Sequence, residues 1–175
     1  RQIQRAVDVM QVDAPDDIRQ ELAAQQVRVY LAQDRPAGAR MVLQGAGFSF
    51  QDQFSFPDLP PGQSLPHALG LLYNSRLRFL LYRADRREDS IGLERGIALA
   101  DRLIAAALQG QAILVAIETL LLRAQLRVAL RPGQAEQAAS RLDYARALEL
   151  GEPEGIVSVF VEAGPPVTGA LATLL

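Results

Sequence analysis

Two tyrosines and two arginines share one predicted helix, which runs from His67 to Arg83. They are Tyr73, Arg76, Arg78 and Tyr82. Guanidinium groups pair with anions, and tyrosine rings combine an apolar face with a polar edge, so this set suits anionic, carbohydrate-like or peptide carboxylate ligands. The same residue types also cover solvated helix faces, which is the alternative for each of them.

Glu118 is a carboxylate among residues that predict a dry environment. Ile117 precedes it and three leucines, 120–122, follow closely. An unpaired buried carboxylate is costly, so we expect an arginine partner such as Arg78, Arg123 or Arg102. The alternative is a polar cluster that faces a ligand. The candidate ligand-binding residues are then Tyr73, Arg76, Arg78, Tyr82, Glu118 and Arg123.

The residues that enzymes use most often are scarce. His67 is the only histidine, Asn74 is the only asparagine, and there is no cysteine. No nucleophile elbow or histidine-rich zinc motif occurs, so we predict no catalytic residue, no metal site, no cofactor and no enzyme activity. The carboxylate pairs at 16–17 and 88–89 lie where helices are predicted to start, and there acidic side chains stabilise the helix N-terminus.

Composition narrows the class of protein and of partner. Of the 175 residues, 49% are hydrophobic and 22% are charged, and the net charge is −2. All 18 cations are arginine, with no basic stretch longer than Arg86-Arg87, so we expect no direct binding to nucleic acid. The longest apolar run, 112–122, is far shorter than the ~20 residues that span a bilayer, so no membrane contact is predicted.

Apolar spacing predicts a succession of helices. The first is the tail of an upstream helix with Ile3, Val7 and Met10. A short helix around Val42 is predicted to end at Gly45, and Gly110 is predicted to close the helix 93–108. The remaining predicted helices are 16–33, 67–83, 112–130 and 135–150. The Phe-rich segment 46–66 is a long loop that its four phenylalanines anchor to the helices, or that forms a lid over a groove.

The helices are predicted to form hairpins. Leu31, Leu81 and Leu130 each precede a tight polar turn, roughly 50 residues apart. Neighbouring hairpins bury one another's apolar faces, so we predict an all-α fold, namely one domain over 1–175 built as an α-solenoid of tetratricopeptide-like hairpins. A plain helical bundle is the rival arrangement. The four tyrosine and arginine positions would line the concave face.

Residues 152–175 are predicted to cap the solenoid with short helices. Gly151 is placed at the C-terminus of the preceding helix and Pro153 at the start of the next. Val157, Phe160 and Val161 are expected to cover the otherwise open end, because a terminal repeat has no neighbour on its outer face.

Four stretches resemble the sensor region of MalT-like, LuxR-type bacterial transcriptional regulators. The most specific is "ALELGEPEGIVSVFVEAGPPVTGALATLL" at 147–175, with its Glu-Pro-Glu-Gly turn and Gly-Pro-Pro break. The others are "VRVYLAQDRPAGARMVLQGAGFSFQDQFSF", "SRLRFLLYRADRRE" and "AILVAIETLLLRAQLRVAL". In that family a signalling ATPase precedes this region and a helix-turn-helix domain follows it. A chain without lysine contains no P-loop Gly-Lys-Ser/Thr, so we expect a fragment of a larger regulator.

The resemblance implies a cytoplasmic domain that senses an effector. Its partners would be a small-molecule inducer or a regulatory protein, bound on the concave face, and the other domains of the same polypeptide, with self-association a further possibility. The alternative is a structural scaffold or spacer that mediates protein contacts without binding a small molecule.

Overall fold

The chain folds into helices only, over the part that can be described. The computed structural model describes residues 14–50, 65–84, 90–131 and 133–172, and within these ranges it contains no strand. The helices are α1 (Asp16–Ala32), α2 (Pro36–Gly45), α3 (His67–Ala84), α4 (Ser90–Gln109), α5 (Ile113–Leu130), α6 (Gln134–Gly151), α7 (Ser158–Glu162) and α8 (Pro165–Leu171). The all-α prediction is confirmed. The expected upstream helix at 3–10 and most of the Phe-rich segment lie outside the described residues.

The ends of four helices share one hydrogen-bonding pattern. After α1, the Arg35 amide donates to the Tyr30 carbonyl at 2.8 Å, and Asp34 between them has a φ of 56°. After α4, Ala112 donates to Ala107 at 2.8 Å, and Gln111 also has a φ of 56°. Gly47 and Gly155 hold the left-handed position after α2 and α6.

Helix α4 ends at Gln109, directly before Gly110 as predicted, and Gln111 is the left-handed residue of the turn. The predicted position of Gly151 just beyond the end of α6 was wrong. Gly151 is the last helical residue of α6, and the left-handed residue is Gly155, four positions later. Gly151 is needed for a different reason, since an added Cβ would lie 3.1 Å from the Phe160 ring.

Buried apolar residues form three clusters that follow one another along the chain. The first joins α1, α2 and α3 through residues such as Val27, Leu43 and Phe79. The second joins α3, α4 and α5, with Leu77 and Leu126 among its members. The third joins α4 and α5 to the helices that follow them. Each hairpin thus buries its apolar residues against the next one.

The order of helix packing follows the same succession. Helix α3 packs on α1 and α5, so these three lie side by side. Helix α2 packs on α1, and both α4 and α6 pack on α5. Gly70 allows α3 to approach α5 closely, because a Cβ there would lie 2.7 Å from a Val115 methyl carbon. Within the described ranges, α1 and α2 do not pack extensively on α6.

The C-terminal segment forms the two short helices that the sequence predicted, but with different contacts. Phe160 is 7% exposed and packs into the third cluster, as expected. Val157 and Val161 are each 65% exposed, so the prediction that they cover the end of the stack was wrong. Pro153 lies in the turn 152–155 and does not begin α7, which starts at Ser158. Val167 of α8 is buried in their place.

Candidate functional site

A buried carboxylate joins the three central helices. Glu118 of α5 is only 4% exposed. Its Oε1 accepts hydrogen bonds from the guanidinium groups of Arg28 on α1 and Arg78 on α3, each at 2.5 Å. The predicted pairing with Arg78 is confirmed. Arg123 and Arg102, the other candidate partners, do not contact Glu118, since Arg102 is exposed on α4 and Arg123 pairs elsewhere.

Two neutral side chains complete the surroundings of Glu118. The Asn74 amide on α3 donates to Glu118 Oε2 at 3.0 Å. The Thr119 hydroxyl donates to Asn74 Oδ1 at 2.8 Å. Both residues are buried. Oε1 of Glu118 therefore accepts from two guanidinium groups, and Oε2 accepts from an amide. Because both oxygens are hydrogen-bonded, the acidic side chain is tolerated at the interface of α3 and α5.

Arg28 extends this cluster to α7. Its Nη1 lies 3.3 Å from Glu162 Oε2, while its Nη2 contacts Glu118. We call Arg28, Asn74, Arg78, Glu118 and Glu162 the carboxylate cluster. The cluster holds two cations and two carboxylates and connects α1, α3, α5 and α7. Arg28 and Glu162 were not foreseen, because 134 residues separate them and no local pattern links them.

The charges of the arginines decide the ionisation of Glu118. Burial by itself raises the pKa of this carboxyl group. The positive charges of Arg78 and Arg28, with hydrogen bonds from Arg78 and Asn74, outweigh burial and hold its pKa below the usual value. Glu118 is therefore ionised at neutral pH. A carboxylate that is paired, buried and weakly basic is poorly suited to act as a general base.

Arg123 belongs to a separate ionic group. It bridges Asp143 on α6 and Asp101 on α4, with an Nη1 to Oδ1 distance of 2.6 Å to Asp101, and Arg127 also pairs with Asp143 at 3.2 Å. Burial alone lowers the pKa of Arg123, but hydrogen bonds and charges from Asp143 and Asp101 raise it. The guanidinium stays charged and ties α5 to its two neighbours.

The other three candidate residues lie apart from Glu118. Tyr73 is buried, and its ring meets Phe48 edge to face at 5.4 Å. Arg76 is buried with its guanidinium 3.9 Å from the centre of the Phe50 ring. The Tyr82 hydroxyl donates to Asp34 in the turn after α1. Of the six predicted positions, the structure brings only Arg78 and Glu118 together.

The Phe-rich segment begins by packing on α3, as the anchoring interpretation predicted. Phe48 contacts Tyr73, and Phe50 stacks edge to face on Phe79 at 5.4 Å. Arg76 lies over Phe50, and Arg40 of α2 lies 5.1 Å from the same ring centre. Residues 51–64 lie outside the described residues, so the alternative of a lid over a groove stays a prediction.

The carboxylate cluster leaves no space for a ligand beside Glu118. The crevice between Arg78, Glu118, Gln125 and α7 has an accessible volume of about 0 Å³. No group of three or more acidic or histidine side chains is arranged around a possible metal ion in the described part of the chain. Likewise, no helix in the described ranges is long and apolar enough to cross a lipid bilayer. What the cluster does in this structure is hold α1, α3, α5 and α7 together.

No model of a known protein family matches the chain, and no curated protein or solved structure does either. The resemblance to MalT-like regulators therefore stays a prediction, which rests on the four stretches quoted above. The cytoplasmic location and the absence of enzyme activity stay predictions for the same reason.

Proposed function

We propose that the helices form an α-solenoid of tetratricopeptide-like hairpins. Three observations support this arrangement. Helices α1, α3 and α5 lie side by side, each hairpin packs on its sequence neighbour, and the apolar clusters follow one another with no common centre. A plain bundle would bring its first and last hairpins together around one core. Short helices α7 and α8 then cap the C-terminal end.

We propose that this solenoid is the effector-sensing and protein-interaction domain of a MalT-like, LuxR-type transcriptional regulator. It binds an inducer or regulatory protein on the face formed by α1, α3 and α5, and thereby controls the ATPase and DNA-binding domains that such regulators carry. The single observation that supports it best is the carboxylate cluster, because one buried carboxylate receives cations from two different hairpins. The protein would act in the cytoplasm.

The cluster suggests how binding is transmitted. Arg28 binds Glu118 and Glu162 at the same time, and Arg78 binds Glu118. Both arginine side chains are partly exposed, at 28% and 22%, so an anionic effector that contacts either of them from outside would weaken its bond to Glu118. A ligand shifts an equilibrium only by its difference in affinity for the two states. The two states here differ in whether α1 is held against α5 and α7, and the other domains of the polypeptide, or a second copy, would respond to that difference.

A scaffold without small-molecule binding is the second candidate function. The observation that favours it is that the predicted ligand-binding side chains already have internal partners. Arg123 is held by Asp101 and Asp143, Tyr82 by Asp34, and Glu118 by its arginines. Side chains that are paired in this way hold the helices together. The outer surfaces of the stack would then be the part that contacts other proteins.

A binding screen separates the two functions. The 175-residue chain is titrated calorimetrically with sugars, small anions and peptides, and thermal shifts are recorded in parallel. Sensing predicts saturable binding of one class that is lost in Arg78→Ala and kept in Arg146→Ala. Arg146 is a matched control, because it is exposed and pairs with Glu149 at 3.1 Å on its own helix. Circular dichroism checks that both variants fold.

The outcomes assign the function directly. Saturable binding that depends on Arg78 supports the sensor. No heat and no thermal shift with any class of compound contradicts the sensor and leaves the scaffold. A sequence-specific mobility shift with duplex DNA at low salt would contradict both, since neither function involves contact with nucleic acid by this region.

A further inference from the structure

A groove lies near the C-terminal end of the stack. It is enclosed by Leu81 of α3, the last turns of α5, residues of α6 and the short helix α8, and its volume is about 450 Å³. This lies within the range of ~300 to 1,000 Å³ that is usual for small-molecule sites. It is lined by Leu81, Gln125, Val128, Ala129, Gln137, Ser140, Arg141, Tyr144, Pro166 and Ala170.

The groove exists because the capping helices are short. Helices α7 and α8 have five and seven residues, whereas α5 and α6 have 18 each. Phe160 and Val167 therefore cover only the part of the hairpin around Leu121 and Ala147. Towards the turn that joins α5 to α6, the facing residues are left uncovered, and Val128 is 38% exposed there.

The lining is mainly apolar, with one charge at its edge. Val128 and Ala129 from α5, Tyr144 from α6, and Pro166 from α8 supply apolar surface. Burial raises the pKa of Tyr144, so its phenol is neutral at physiological pH. Among the residues that the structure describes, no acidic side chain lines the groove. An anionic ligand therefore meets no repulsion within it.

Arg141 is the cation that lines this groove. It is exposed on α6, one turn from Tyr144 and from Gln137, so the three side chains share a face of the helix. Unlike Arg123 and Arg127 nearby, Arg141 has no ion pair or hydrogen bond from its side chain to any residue in the described ranges. A guanidinium without a counter-ion beside an apolar groove is complementary to a carboxylate that carries an apolar chain.

We propose that the groove between α5, α6 and α8 binds a small amphipathic carboxylate, with its apolar chain along Val128 and Tyr144 and its charge on Arg141. The inference rests on the proposed sensing function and names the class of effector. Gln125 lines both the groove and the crevice that contains Arg78 and Glu118. A ligand in the groove would therefore be separated from the Arg78–Glu118 pair by the Gln125 side chain.

The test compares ligands that differ only in charge. Decanoate, 1-decanol and decyltrimethylammonium are titrated into the full chain below their critical micelle concentrations, with binding followed by calorimetry. We expect saturable binding of decanoate, weaker binding of decanol, and none of the cation. Val128→Asp should abolish decanoate binding, because it puts a like charge on the groove wall. Arg141→Gln should weaken it by about two- to fivefold, as expected for a solvent-exposed charge pair.

Controls make the site assignment specific. Val128 and Arg141 are both exposed, so circular dichroism should show unchanged helix content in their variants. Arg146 lies on α6 outside the groove, so Arg146→Gln should bind decanoate like the wild type. Equal binding of all three decyl compounds, or decanoate binding that ignores Val128→Asp, overturns the proposal. Concentration-dependent dimerisation that Val128→Asp abolishes, without decanoate binding, assigns the groove to a second copy and also overturns it.

The screen of sugars, anions and peptides distinguishes failure of this inference from failure of the sensing function. If decanoate does not bind but another compound binds in an Arg78-dependent way, the sensing function stands and the groove proposal fails. If nothing binds at all, both fail together.

Discussion

The guanidinium of Arg28 contacts the carboxylate of Glu118 at 2.5 Å, although the two residues are 90 positions apart in the sequence. Arg78 binds the same oxygen from a third helix. The two hairpins must therefore be in register for both arginines to reach the one buried carboxylate, and Glu118 is the member of the three that neither arginine can replace. The first two predictions follow from this dependence.

Removing the carboxylate should destabilise the fold strongly. Glu118→Ala leaves Arg78 without its counter-ion and Arg28 with only the exposed Glu162, and breaking a buried pair costs about 3 to 5 kcal/mol of unfolding free energy. Urea denaturation followed by circular dichroism measures the loss. Glu154→Ala is the control, because this residue is exposed in the turn after α6 and should change stability by less than about 0.5 kcal/mol. A triple change of Arg28→Met, Arg78→Met and Glu118→Leu should recover most of the loss. If it does not, lost packing and not the unpaired charge is the cause.

Stability should depend on the protonation of Glu118 at acid pH. Its pKa is lower in the folded chain than in the unfolded chain, where it is about 4.3. The unfolded state therefore binds the proton first, and the stabilisation, present above that value, is lost as pH falls through the folded pKa. The difference in unfolding free energy between the wild type and Glu118→Gln should be largest above about pH 5, shrink as pH falls below the unfolded pKa, and vanish only below the folded pKa. A difference that widens towards low pH would contradict this assignment.

Close contact between α3 and α5 should make Gly70 sensitive to a single methyl group. In Gly70→Ala the new Cβ would lie 2.7 and 2.8 Å from the two methyl carbons of Val115, whose branched side chain has few alternative rotamers. We expect a loss of about 1 to 3 kcal/mol, measured by denaturation. Val115→Ala in the same chain should relieve the overlap. Gly169→Ala in α8 has no neighbour within 4 Å and should not destabilise the fold. Equal effects of the two alanines would contradict the close packing.

A glycine should be favourable in the turn between α4 and α5. Gln111 has a φ of 56°, and this conformation costs a residue with a Cβ about 1 to 2 kcal/mol. Glycine avoids that cost, but its greater freedom in the unfolded chain costs about 0.5 to 1 kcal/mol. Gln111→Gly should therefore raise the melting temperature, with a gain of about 0.5 to 1 kcal/mol. Ala105→Gly, on the exposed face of α4, should lower it by a similar amount, because glycine disfavours a helix interior. A lower melting temperature for Gln111→Gly would refute the left-handed conformation at this turn.

Local patterns in the sequence located the helices well. Apolar spacing, with Pro and Gly between the segments, placed α1, α3, α5 and α6 within two residues of their observed ends, because these signals act over one or two helical turns. The cap after α6 was less accurate. Gly151 and Gly155 both suit a helix end, and the sequence alone did not show that Gly155 takes the left-handed conformation while Gly151 stays helical beside the Phe160 ring.

The buried position of Glu118 and its need for an arginine partner also followed from the sequence, since a carboxylate among leucines needs a nearby cation. The sequence offered Arg78, Arg102 and Arg123 alike, and the packing of α3 on α5 selected Arg78. The sequence did not predict the roles of Arg28, Asn74 and Glu162. Arg28 and Asn74 contact Glu118, and Glu162 contacts Arg28, only because α1, α3, α5 and α7 pack together. The groove beside Arg141 was equally hidden, since it depends on how much of α5 and α6 the short capping helices cover. Periodicity fixes which face of a helix is apolar. Only the packing of distant helices decides which charges meet and which surface stays open.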